Sequence, residues 1–329
     1  MNALAKLSIL LSLVRAKLFG RRMPIAISWM ITRRCNYACQ YCNECSVADA
    51  NELNTGQVLS IITKLRKAGV KIISFTGGEP LLRDDIGEII KYCADHQIIT
   101  RLNSNGVLVP ARIEELKYLE AITLSVDGPE EVNDAVRRRG AFRAVLQAAE
   151  AASQHGIKIG FLTVLSSGNL DLRNINFLLG MAESFNAKIT FQPASSTLLR
   201  GQGRNPAVPP ISEYRKTIDL LIDLKKKNAS IGNSLAGLHH LRFWPEKRPM
   251  RCAGEFIFRR IDPDGNLMYC GVCEKPHGLG NCLSEDPEKL LLNTSPTVCD
   301  FCWCAERVEL NHAFFGDLEA IRNYMIKNF

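Results

Sequence analysis

Three cysteines near the start of the chain have the spacing of a metal-binding loop. Cys35, Cys39 and Cys42 lie within eight residues, directly after an alternating apolar stretch that predicts a strand. Three thiolates on one loop suit a four-iron cluster, because three irons take cysteine and the fourth stays open to another ligand. A zinc ion is the alternative, and it would require a fourth ligand such as Cys45 or a water molecule.

A glycine-rich turn follows the second predicted strand and reads Thr76-Gly77-Gly78-Glu79-Pro80. The two glycines lack side chains and allow a ligand to approach the backbone closely. The Glu79 carboxylate can accept hydrogen bonds from the ammonium group of such a ligand. The turn therefore predicts a second part of a ligand-binding site.

Seven further cysteines are concentrated in the last third of the chain. They are Cys252, Cys270, Cys273, Cys282, Cys299, Cys302 and Cys304. Secreted disulfide scaffolds are short and loop-rich, whereas this chain has 329 residues, so the clustered cysteines predict metal binding. Phe256–Ile261 and Leu267–Tyr269 predict a hairpin that brings Cys252 alongside Cys270. Two cysteine pairs around a hairpin also fit a zinc ribbon.

The elements that must position these residues alternate between strand and helix patterns. The predicted strands are Ile25–Ile31, Lys71–Phe75, Ile98–Leu102, Ala121–Val126, Ile157–Val164 and Lys188–Gln192. Longer helices are predicted at Ala111–Leu119, Phe142–His155, Leu170–Phe185 and Ile211–Lys227. Strands alternating with helices form a parallel sheet with right-handed crossovers. Six such units are too few for a closed eight-unit barrel, so the sequence predicts an α/β fold with a partial TIM-type (β/α)6 barrel, whose site lies at the carboxyl ends of its strands.

Composition divides the chain into three parts. Residues 1–22 form a basic amphipathic helix, and residues 23–205 form the partial barrel. The Gly- and Pro-rich segment Arg200–Pro210 interrupts the alternating pattern. We therefore assign residues 206–329 to a linker helix followed by a small C-terminal domain of β-hairpin and helices that carries the later cysteines.

The cysteine loop, the aromatic Tyr41 before its third cysteine and the Gly-Gly-Glu-Pro turn together resemble the radical S-adenosylmethionine (radical SAM) superfamily. The resemblance covers about residues 24–195. It implies a SAM-binding [4Fe-4S] cluster held by Cys35, Cys39 and Cys42, with SAM on the open iron through its amino and carboxylate groups. Reductive cleavage of SAM would give a 5′-deoxyadenosyl radical that abstracts a hydrogen atom from the substrate.

Matching motifs extend the resemblance to the residues that would bind SAM. It implies that Gly77–Pro80 cradles the methionine amino group and that Tyr41 lies near the adenine. Asn105 falls where the family often shows Thr-Asn-Gly at the end of strand three.

Two candidates for the SAM carboxylate follow the fourth predicted strand. Ser125 begins a segment similar to the family's Ser-x-Asp-Gly. Arg137 falls at the arginine of the family's His-Asp-x-x-Arg, although Asn133 replaces the histidine here. The run Arg137-Arg138-Arg139 leaves the register of this arginine open.

The later cysteines are similar to the auxiliary-cluster region of radical SAM enzymes, known as SPASM or, in its shorter form, twitch. This resemblance implies one auxiliary [4Fe-4S] cluster held by Cys252, Cys270, Cys299 and Cys302. Cys273 and Cys304 are left over; either could replace a ligand of this set or help hold a second auxiliary cluster. Cys282 sits where an apolar strand residue would fit, so we interpret it as a core residue, and Cys45 has no assigned role.

The N-terminal segment carries the charge excess of the chain. Residues 1–43 contain seven basic residues and no acidic residue, which equals the net charge of +7. A nucleic-acid binder would spread such charge over a face or groove, so nucleic acid is not an expected partner. Apolar residues recur at helical spacing in residues 3–19, without an apolar run long enough to span a bilayer. This helix either packs on the protein's own body or places residues 1–20 on an anionic membrane surface.

Taken together, the motifs predict a radical SAM enzyme in a reducing cytoplasm, with peripheral membrane contact as the second option for its first helix. Flavodoxin or ferredoxin is the expected electron donor. The auxiliary cluster favours oxidation or cross-linking of a substrate, which is a peptide, a small molecule or a lipid. The alternative is a non-catalytic iron–sulfur electron carrier or a zinc-bound interaction protein, neither of which would cleave SAM.

Overall fold

The computed structural model describes residues 3–19, 22, 24–42, 51–196, 203–227, 230–270, 278–292 and 301–328. Within them lie nine strands: β1 (Ala26–Thr32), β2 (Ile72–Gly77), β3 (Ile99–Ser104), β4 (Ala121–Ser125), β5 (Lys158–Leu165), β6 (Lys188–Pro193), β7 (Phe258–Ile261), β8 (Asn266–Met268) and β9 (Gly278–Asn281).

Twelve α-helices accompany these strands in the described ranges. They are α1 (Ala3–Phe19), α2 (Thr55–Lys67), α3 (Ile86–Asp95), α4 (Glu130–Val136), α5 (Ala141–Gln154), α6 (Leu172–Ser184), α7 (Ile211–Lys227), α8 (Leu235–Leu241), α9 (Gly254–Ile257), α10 (Pro287–Leu292), α11 (Ala305–Phe315) and α12 (Leu318–Asn328). Short 3₁₀ helices occur at Pro80–Leu82 and Pro110–Leu116.

All nine strands belong to one sheet, in the order β6-β5-β4-β3-β2-β1-β7-β8-β9. Neighbouring strands from β1 to β6 pair in parallel, in sequence order. This arrangement confirms the predicted partial (β/α)6 barrel. It also brings the carboxyl ends of β1, β2, β3 and β4 side by side, which is where the sequence places its SAM-binding motifs.

Residues alternate between the two faces of the first strand. Ile27, Trp29 and Ile31 are buried against the helices that surround the barrel. Ser28, between them, lines the interior of the barrel. The apolar face of β1 therefore holds the helical layer, and its polar face points into the lumen.

One predicted helix differs from the structure. Residues expected to form a helix at Ala111–Leu119 instead form the 3₁₀ helix Pro110–Leu116, which is interrupted at Arg112. The Arg112 guanidinium donates to the carbonyl oxygens of Leu81 and Arg83 at 2.6 and 2.7 Å. These bonds tie the segment to the loop after β2, and an apolar pattern does not reveal them.

The predicted C-terminal hairpin is present and extends the barrel sheet. β7 pairs in parallel with β1 on the side away from β2, and β8 returns antiparallel to β7. The turn contains Gly265 at φ +85°, a conformation that favours glycine. Residues 254–257 form the short helix α9. The first predicted strand of the hairpin includes Phe256 and Ile257. The domain boundary near residue 205 stays a prediction.

Helix α1 packs against the body of the protein. Ile9 and Ala16 are buried in an apolar cluster with Ile25, Ile72 and Phe258, at the amino ends of the barrel strands. The structure therefore favours internal packing over membrane contact for this helix. No helix within the described ranges is long and apolar enough to cross a bilayer.

We expect Ile9→Asp to lower the free energy of unfolding by about 3 kcal/mol or more, because it removes apolar contacts and buries an unpaired charge. Leu11→Asp is the matched control on the same helix, since Leu11 is 48 % exposed. Its effect should stay within about 0.5 kcal/mol. Urea unfolding of both variants measures the difference. Equal stability of the two variants, together with loss of liposome binding only in Leu11→Asp, would instead assign α1 to a membrane surface.

Candidate active site

The three cysteines of the first motif lie on the loop that leaves β1 at the carboxyl edge of the sheet. All three side chains are partly exposed. Burial raises the pKa of Cys35 to about 11, and the nearby charges of Glu79, Cys39 and Cys42 act in the same direction. The mutual influence of the three thiols indicates that they face a common space. Cys45 lies outside the described residues.

This loop fits an iron–sulfur cluster. Among the residues that the structure describes, no three Cys, His, Asp or Glu side chains are close enough to chelate one metal ion together. A four-iron cube does not require that proximity, because each thiolate binds a different iron. The partial exposure of the thiols leaves them accessible for assembly of the cluster.

The Gly77-Gly78 turn packs directly on the backbone that leads to Cys35. The Gly78 amide donates to the Thr32 carbonyl oxygen at 2.9 Å, and the Glu79 amide donates to that of Arg34 at 2.8 Å. A Cβ atom added at Gly77 would lie 2.1 Å from the Thr32 oxygen. One at Gly78 would lie 2.2 Å from the Arg34 oxygen. Both glycines are therefore required by the contact between the turn and the cysteine loop, in addition to any ligand.

Glu79 is fully buried and joins the turn to the end of β3. Its carboxylate accepts hydrogen bonds from the Asn105 amide at 2.8 Å, the Ser104 hydroxyl at 2.9 Å and the Leu81 amide at 3.2 Å. Burial raises the pKa of Glu79 from 4.5 to about 7, against the opposite effect of these three bonds. The side chain thus holds the turn in place from beneath.

The raised pKa of Glu79 predicts a pH-dependent contribution to stability. Because the folded-state pKa exceeds the unfolded value, this contribution is complete below about pH 4.5 and is lost as the pH rises through about 7. In Glu79→Gln the free energy of unfolding should therefore fall less steeply with pH across this window than in the wild type. Urea unfolding of the cluster-free chain between about pH 5 and 7.5 measures the two slopes, and equal slopes would contradict the prediction.

Asn105 connects the end of β3 to the cysteine loop. Its side-chain amide donates to the Asn36 side chain at 2.7 Å, one residue after Cys35. Pro80 is buried and begins the 3₁₀ helix that follows the turn. The structure therefore gathers the glycine turn, Glu79 and Asn105 around the loop, while their roles in binding SAM stay predictions.

Two further candidates lie at the end of β4 and after it. Ser125 is the last residue of β4 and is half-buried. Arg137 is directed inward and pairs with Asp127 at 2.7 Å, with its guanidinium 5.6 Å from the centre of the Tyr41 ring. Arg138 is exposed and donates to the Asn36 carbonyl oxygen at 3.2 Å. The geometry thus selects Arg137 from the arginine run, while its role in binding SAM stays a prediction.

The later cysteines converge at the opposite end of the barrel. Cys252 precedes β7 and Cys270 follows the antiparallel β8, so both lie towards the amino ends of the parallel strands. Burial raises the pKa of Cys302 well above its usual range, and the charges of Cys304, Cys270 and Cys252 add to the rise. We call Cys252, Cys270, Cys302 and Cys304 the second cysteine group. Four thiols from three chain segments fit an auxiliary cluster.

The remaining cysteines of the C-terminal region lie either outside the described residues or in the apolar core. Cys299, an expected ligand, and Cys273 lie outside the described residues. Cys282 is fully buried in the main apolar core, and so is Cys93. The core interpretation of Cys282 therefore agrees with its surroundings.

The sequence left open whether Cys304 replaces a ligand or helps to hold a second cluster, and it did not identify Asp127 as a site residue. Cys304 directly precedes α11, and its half-buried thiol lies near Cys270 and Cys302. The close spacing in Cys302-Trp303-Cys304 was the sequence feature that could have indicated Cys304 as a member of this group. Asp127 is fully buried and contacts Tyr41 and Arg137. The sequence could have indicated Asp127 by its place in the motif Ser125-Val126-Asp127-Gly128. That motif does not show, however, in which direction the Asp127 side chain points.

A cavity of about 600 Å³, lined by polar and apolar residues alike, occupies part of the barrel interior. Ser74, Arg101, Asn103 and Thr123 line it on the strands, and Glu306 of α11 lines it from the C-terminal region. The cavity extends towards the amino ends of β4, β5 and β6. It therefore lies towards the amino ends of the barrel strands and not directly beside the Gly-Gly turn.

Comparisons with known proteins agree with this geometry. Residues 29–172 match the radical SAM superfamily. The mycofactocin maturase MftC of Mycolicibacterium smegmatis is 29 % identical over 280 residues, covering 81 % of this chain and 69 % of that protein. MftC of Mycobacterium ulcerans is 30 % identical over 263 residues, covering 76 % of this chain and 69 % of that protein.

Relatives with other names and a solved structure extend the comparison. The AdoMet-dependent heme synthase of Nitratidesulfovibrio vulgaris is 25 % identical over 276 residues, covering 75 % of this chain and 74 % of that protein. The crystal structure of Streptococcus suis SuiB bound to S-adenosylmethionine has the same fold, with a TM-score of 0.66 and 16 % identity over 85 % of this chain and 68 % of that chain. The chain therefore belongs to the radical SAM superfamily of enzymes.

Proposed function

We propose that this enzyme modifies a peptide by radical SAM chemistry, at a site between the cysteine loop and the barrel interior. The observation that carries the proposal is the packing of the Gly77-Gly78 turn on the loop of Cys35, Cys39 and Cys42, with the carboxyl ends of β3 and β4 beside it. When bound, a [4Fe-4S] cluster and SAM supply reductive cleavage of SAM and hydrogen-atom abstraction from the substrate.

The chain's own residues would hold and orient these groups. Cys35, Cys39 and Cys42 would bind the cluster. The backbone of Gly77–Pro80, which is half-buried at its two glycines, would receive the amino group of SAM. The Tyr41 ring would contact the adenine of SAM, and Ser125 and Arg137 would bind its carboxylate. Asn105, beside the loop, would contribute to the same site. Burial of the surrounding strands excludes water from the site.

The substrate would enter the interior of the barrel. Ser74, Asn103 and Thr123 offer neutral hydrogen-bonding groups there, beside apolar residues such as Ile122 and Phe185. Charged side chains of both signs also line the cavity: Arg101, Lys158, Glu183, Lys188 and Glu306. Such a mixed lining suits a peptide, which carries both amides and apolar side chains, better than a lipid tail, because a purely apolar chain would leave the buried polar groups without hydrogen-bond partners.

We further propose that the second cysteine group holds one auxiliary [4Fe-4S] cluster, with Cys252, Cys270, Cys299 and Cys302 as ligands. A cluster held by four cysteines supplies electron transfer. The burial of Cys302 and its nearness to Cys252 and Cys270 support three of the four positions.

The iron content of cysteine variants would distinguish Cys299 from Cys304 as the fourth ligand of the auxiliary cluster. We expect Cys302→Ala to lose about four irons per chain, the content of one cluster, while SAM-dependent spectral changes of the other cluster persist. Cys299→Ala and Cys304→Ala are compared with it under identical reconstitution, and the variant that also loses four irons identifies the fourth ligand. Full iron content in Cys302→Ala would contradict an auxiliary cluster at this position.

The structural neighbour SuiB of Streptococcus suis binds a precursor peptide, SuiA, and this supports a peptide substrate over the other classes. To test this, purified enzyme is given SAM, reductant and a low-molecular-weight cell extract, and 5′-deoxyadenosine formation is measured. We expect the extract to stimulate product formation and a protease pretreatment to remove the stimulation. Stimulation that survives the protease, or that follows an organic extract, would identify a small molecule or a lipid.

We also propose a flavodoxin or ferredoxin as electron donor and a cytoplasmic location. Both rest on the requirement of low-potential clusters for a reducing environment. Replacement of dithionite by enzymatically reduced flavodoxin should sustain SAM cleavage. Activity with dithionite but with neither flavodoxin nor ferredoxin would contradict this partner.

A further inference from the structure

Asp127 is a buried carboxylate to which the proposed chemistry assigns no role. It lies two residues beyond the last residue of β4 and has 0 % exposure. Its Oδ1 accepts a hydrogen bond from the Val164 amide on β5 at 3.0 Å, and its own amide donates to Asn133 Oδ1 at 3.0 Å. These backbone contacts fix the direction of the carboxylate from both sides.

The other carboxylate oxygen joins two candidate SAM-binding residues. Asp127 Oδ2 accepts from the Tyr41 hydroxyl at 2.8 Å and from Arg137 Nε at 2.7 Å. The guanidinium of Arg137 also lies over the Tyr41 ring, 5.6 Å from its centre. One oxygen atom therefore sets the positions of both side chains, and Tyr41 is adjacent to the third cysteine of the loop.

The bond through Nε leaves the other end of the guanidinium available. Within the described part of the chain, Arg137 Nη1 and Nη2 donate no hydrogen bond, although the side chain is only 6 % exposed. Two parallel N–H groups are the geometry that binds a carboxylate through both of its oxygens. The need to orient this fork explains why an aspartate paired with Arg137 is kept in the interior.

We propose that Asp127 is a positioning residue for SAM, which aims the Nη groups of Arg137 at the SAM carboxylate and holds the Tyr41 ring for the adenine. This inference rests on the SAM-binding roles proposed above for Arg137 and Tyr41. It assigns to Asp127 control of SAM affinity through these two side chains, without contact to SAM itself.

The test measures SAM binding to the reconstituted enzyme by equilibrium dialysis, with iron counted in each sample. Asp127→Asn should raise the dissociation constant for SAM about 10- to 100-fold, because a misaligned guanidinium loses its charge-assisted bonds. Tyr41→Phe keeps the ring and removes only the hydroxyl bond, so the constant should rise about 3- to 10-fold at unchanged iron content. Tyr41→Phe decides the question if Asp127→Asn fails to fold or to retain iron.

A double-mutant cycle separates positioning from a merely structural role. In an Arg137→Met background, Asp127→Asn should change SAM affinity much less than in the wild type, since the group it positions is absent. Asp85→Asn is the matched control, because Asp85 pairs with Arg83 at 2.7 Å in a similar ion pair outside the proposed site. It should leave SAM affinity unchanged. The EPR spectrum of the reduced enzyme should respond to SAM in the control and less in Asp127→Asn.

The outcomes distinguish this inference from the proposed function. Wild-type affinity in an iron-loaded Asp127→Asn or Tyr41→Phe enzyme overturns the inference. An equal effect of Asp127→Asn with and without Arg137 also overturns it. Wild-type enzyme that does not bind SAM at all would instead contradict the proposed SAM-binding roles. Weakened binding that depends on Arg137 supports the positioning role.

Discussion

The Cys39→Ala enzyme is expected to lose the SAM-binding cluster and with it all SAM cleavage. Cys39 is the central thiol of the loop, and a cube held by two thiolates instead of three lacks a ligand on a second iron. Iron per chain should fall by about four after anaerobic reconstitution, with no 5′-deoxyadenosine above background. The second cysteine group should keep its own iron, because it lies at the other end of the barrel.

Cys282→Ala is the matched control for this loss. Cys282 undergoes the same chemical change, but its thiol is buried in the main apolar core and not at either cysteine group. This variant should keep full iron content and activity, with stability lower by about 1 kcal/mol from the small cavity. Retention of SAM cleavage by Cys39→Ala would contradict the cluster assignment, whereas loss of activity in both variants would point to a general folding defect.

Gly78→Ala is expected to produce the second large effect, through the backbone alone. The added Cβ would lie 2.2 Å from the Arg34 carbonyl oxygen and 2.6 Å from that of Arg33. Because both neighbours are backbone atoms, the turn and the cysteine loop must separate. We expect a destabilisation of about 3 kcal/mol and a severe loss of cluster loading and SAM affinity.

Gly180→Ala is the matched control, and this substitution should raise the free energy of unfolding where Gly78→Ala lowers it. Gly180 is exposed on α6, and no atom lies within 4 Å of an added Cβ. Alanine is favoured over glycine inside a helix, so this variant should gain up to about 1 kcal/mol. Urea unfolding and iron analysis of the two variants provide the comparison. A Gly78→Ala enzyme with normal iron content and SAM affinity would show that the close contact between turn and loop is not needed.

Much of the barrel follows from the sequence because its signals are local. The alternation of Ile27, Trp29 and Ile31 predicts β1, and Asn54 with Gln57, three positions apart, forms a capping box at the start of α2. Each signal depends on residues a few positions apart. The parallel order of the first six strands then follows from the short crossovers.

The features that could not be predicted depend on contacts between distant segments. The addition of β7 to the free side of β1 joins residues more than two hundred positions apart, and no periodicity records it. Internal packing of α1 depends on the apolar cluster that receives Ile9. A basic amphipathic pattern fits that cluster and a membrane surface equally well.

The prediction of the site from the sequence is limited in the same way, because the sequence does not show in which direction a side chain points. The motifs indicate Arg137 as a candidate for SAM binding, but only the folded chain shows that one carboxylate oxygen of Asp127 holds both Arg137 and Tyr41. The glycines at 77 and 78 are a similar case. The sequence indicates space for a ligand, whereas the structure shows that the backbone of Thr32 and Arg34 occupies part of that space.

The central claim is that the cysteine loop supports SAM cleavage and the second cysteine group holds one further cluster. Anaerobic reconstitution with iron and sulfide counted per chain, followed by dithionite and SAM, tests both parts in one preparation. We expect about eight irons per chain and 5′-deoxyadenosine released with methionine. About twelve irons would indicate a second auxiliary cluster. Zinc in place of iron, or iron-loaded protein that leaves SAM intact, would contradict the account.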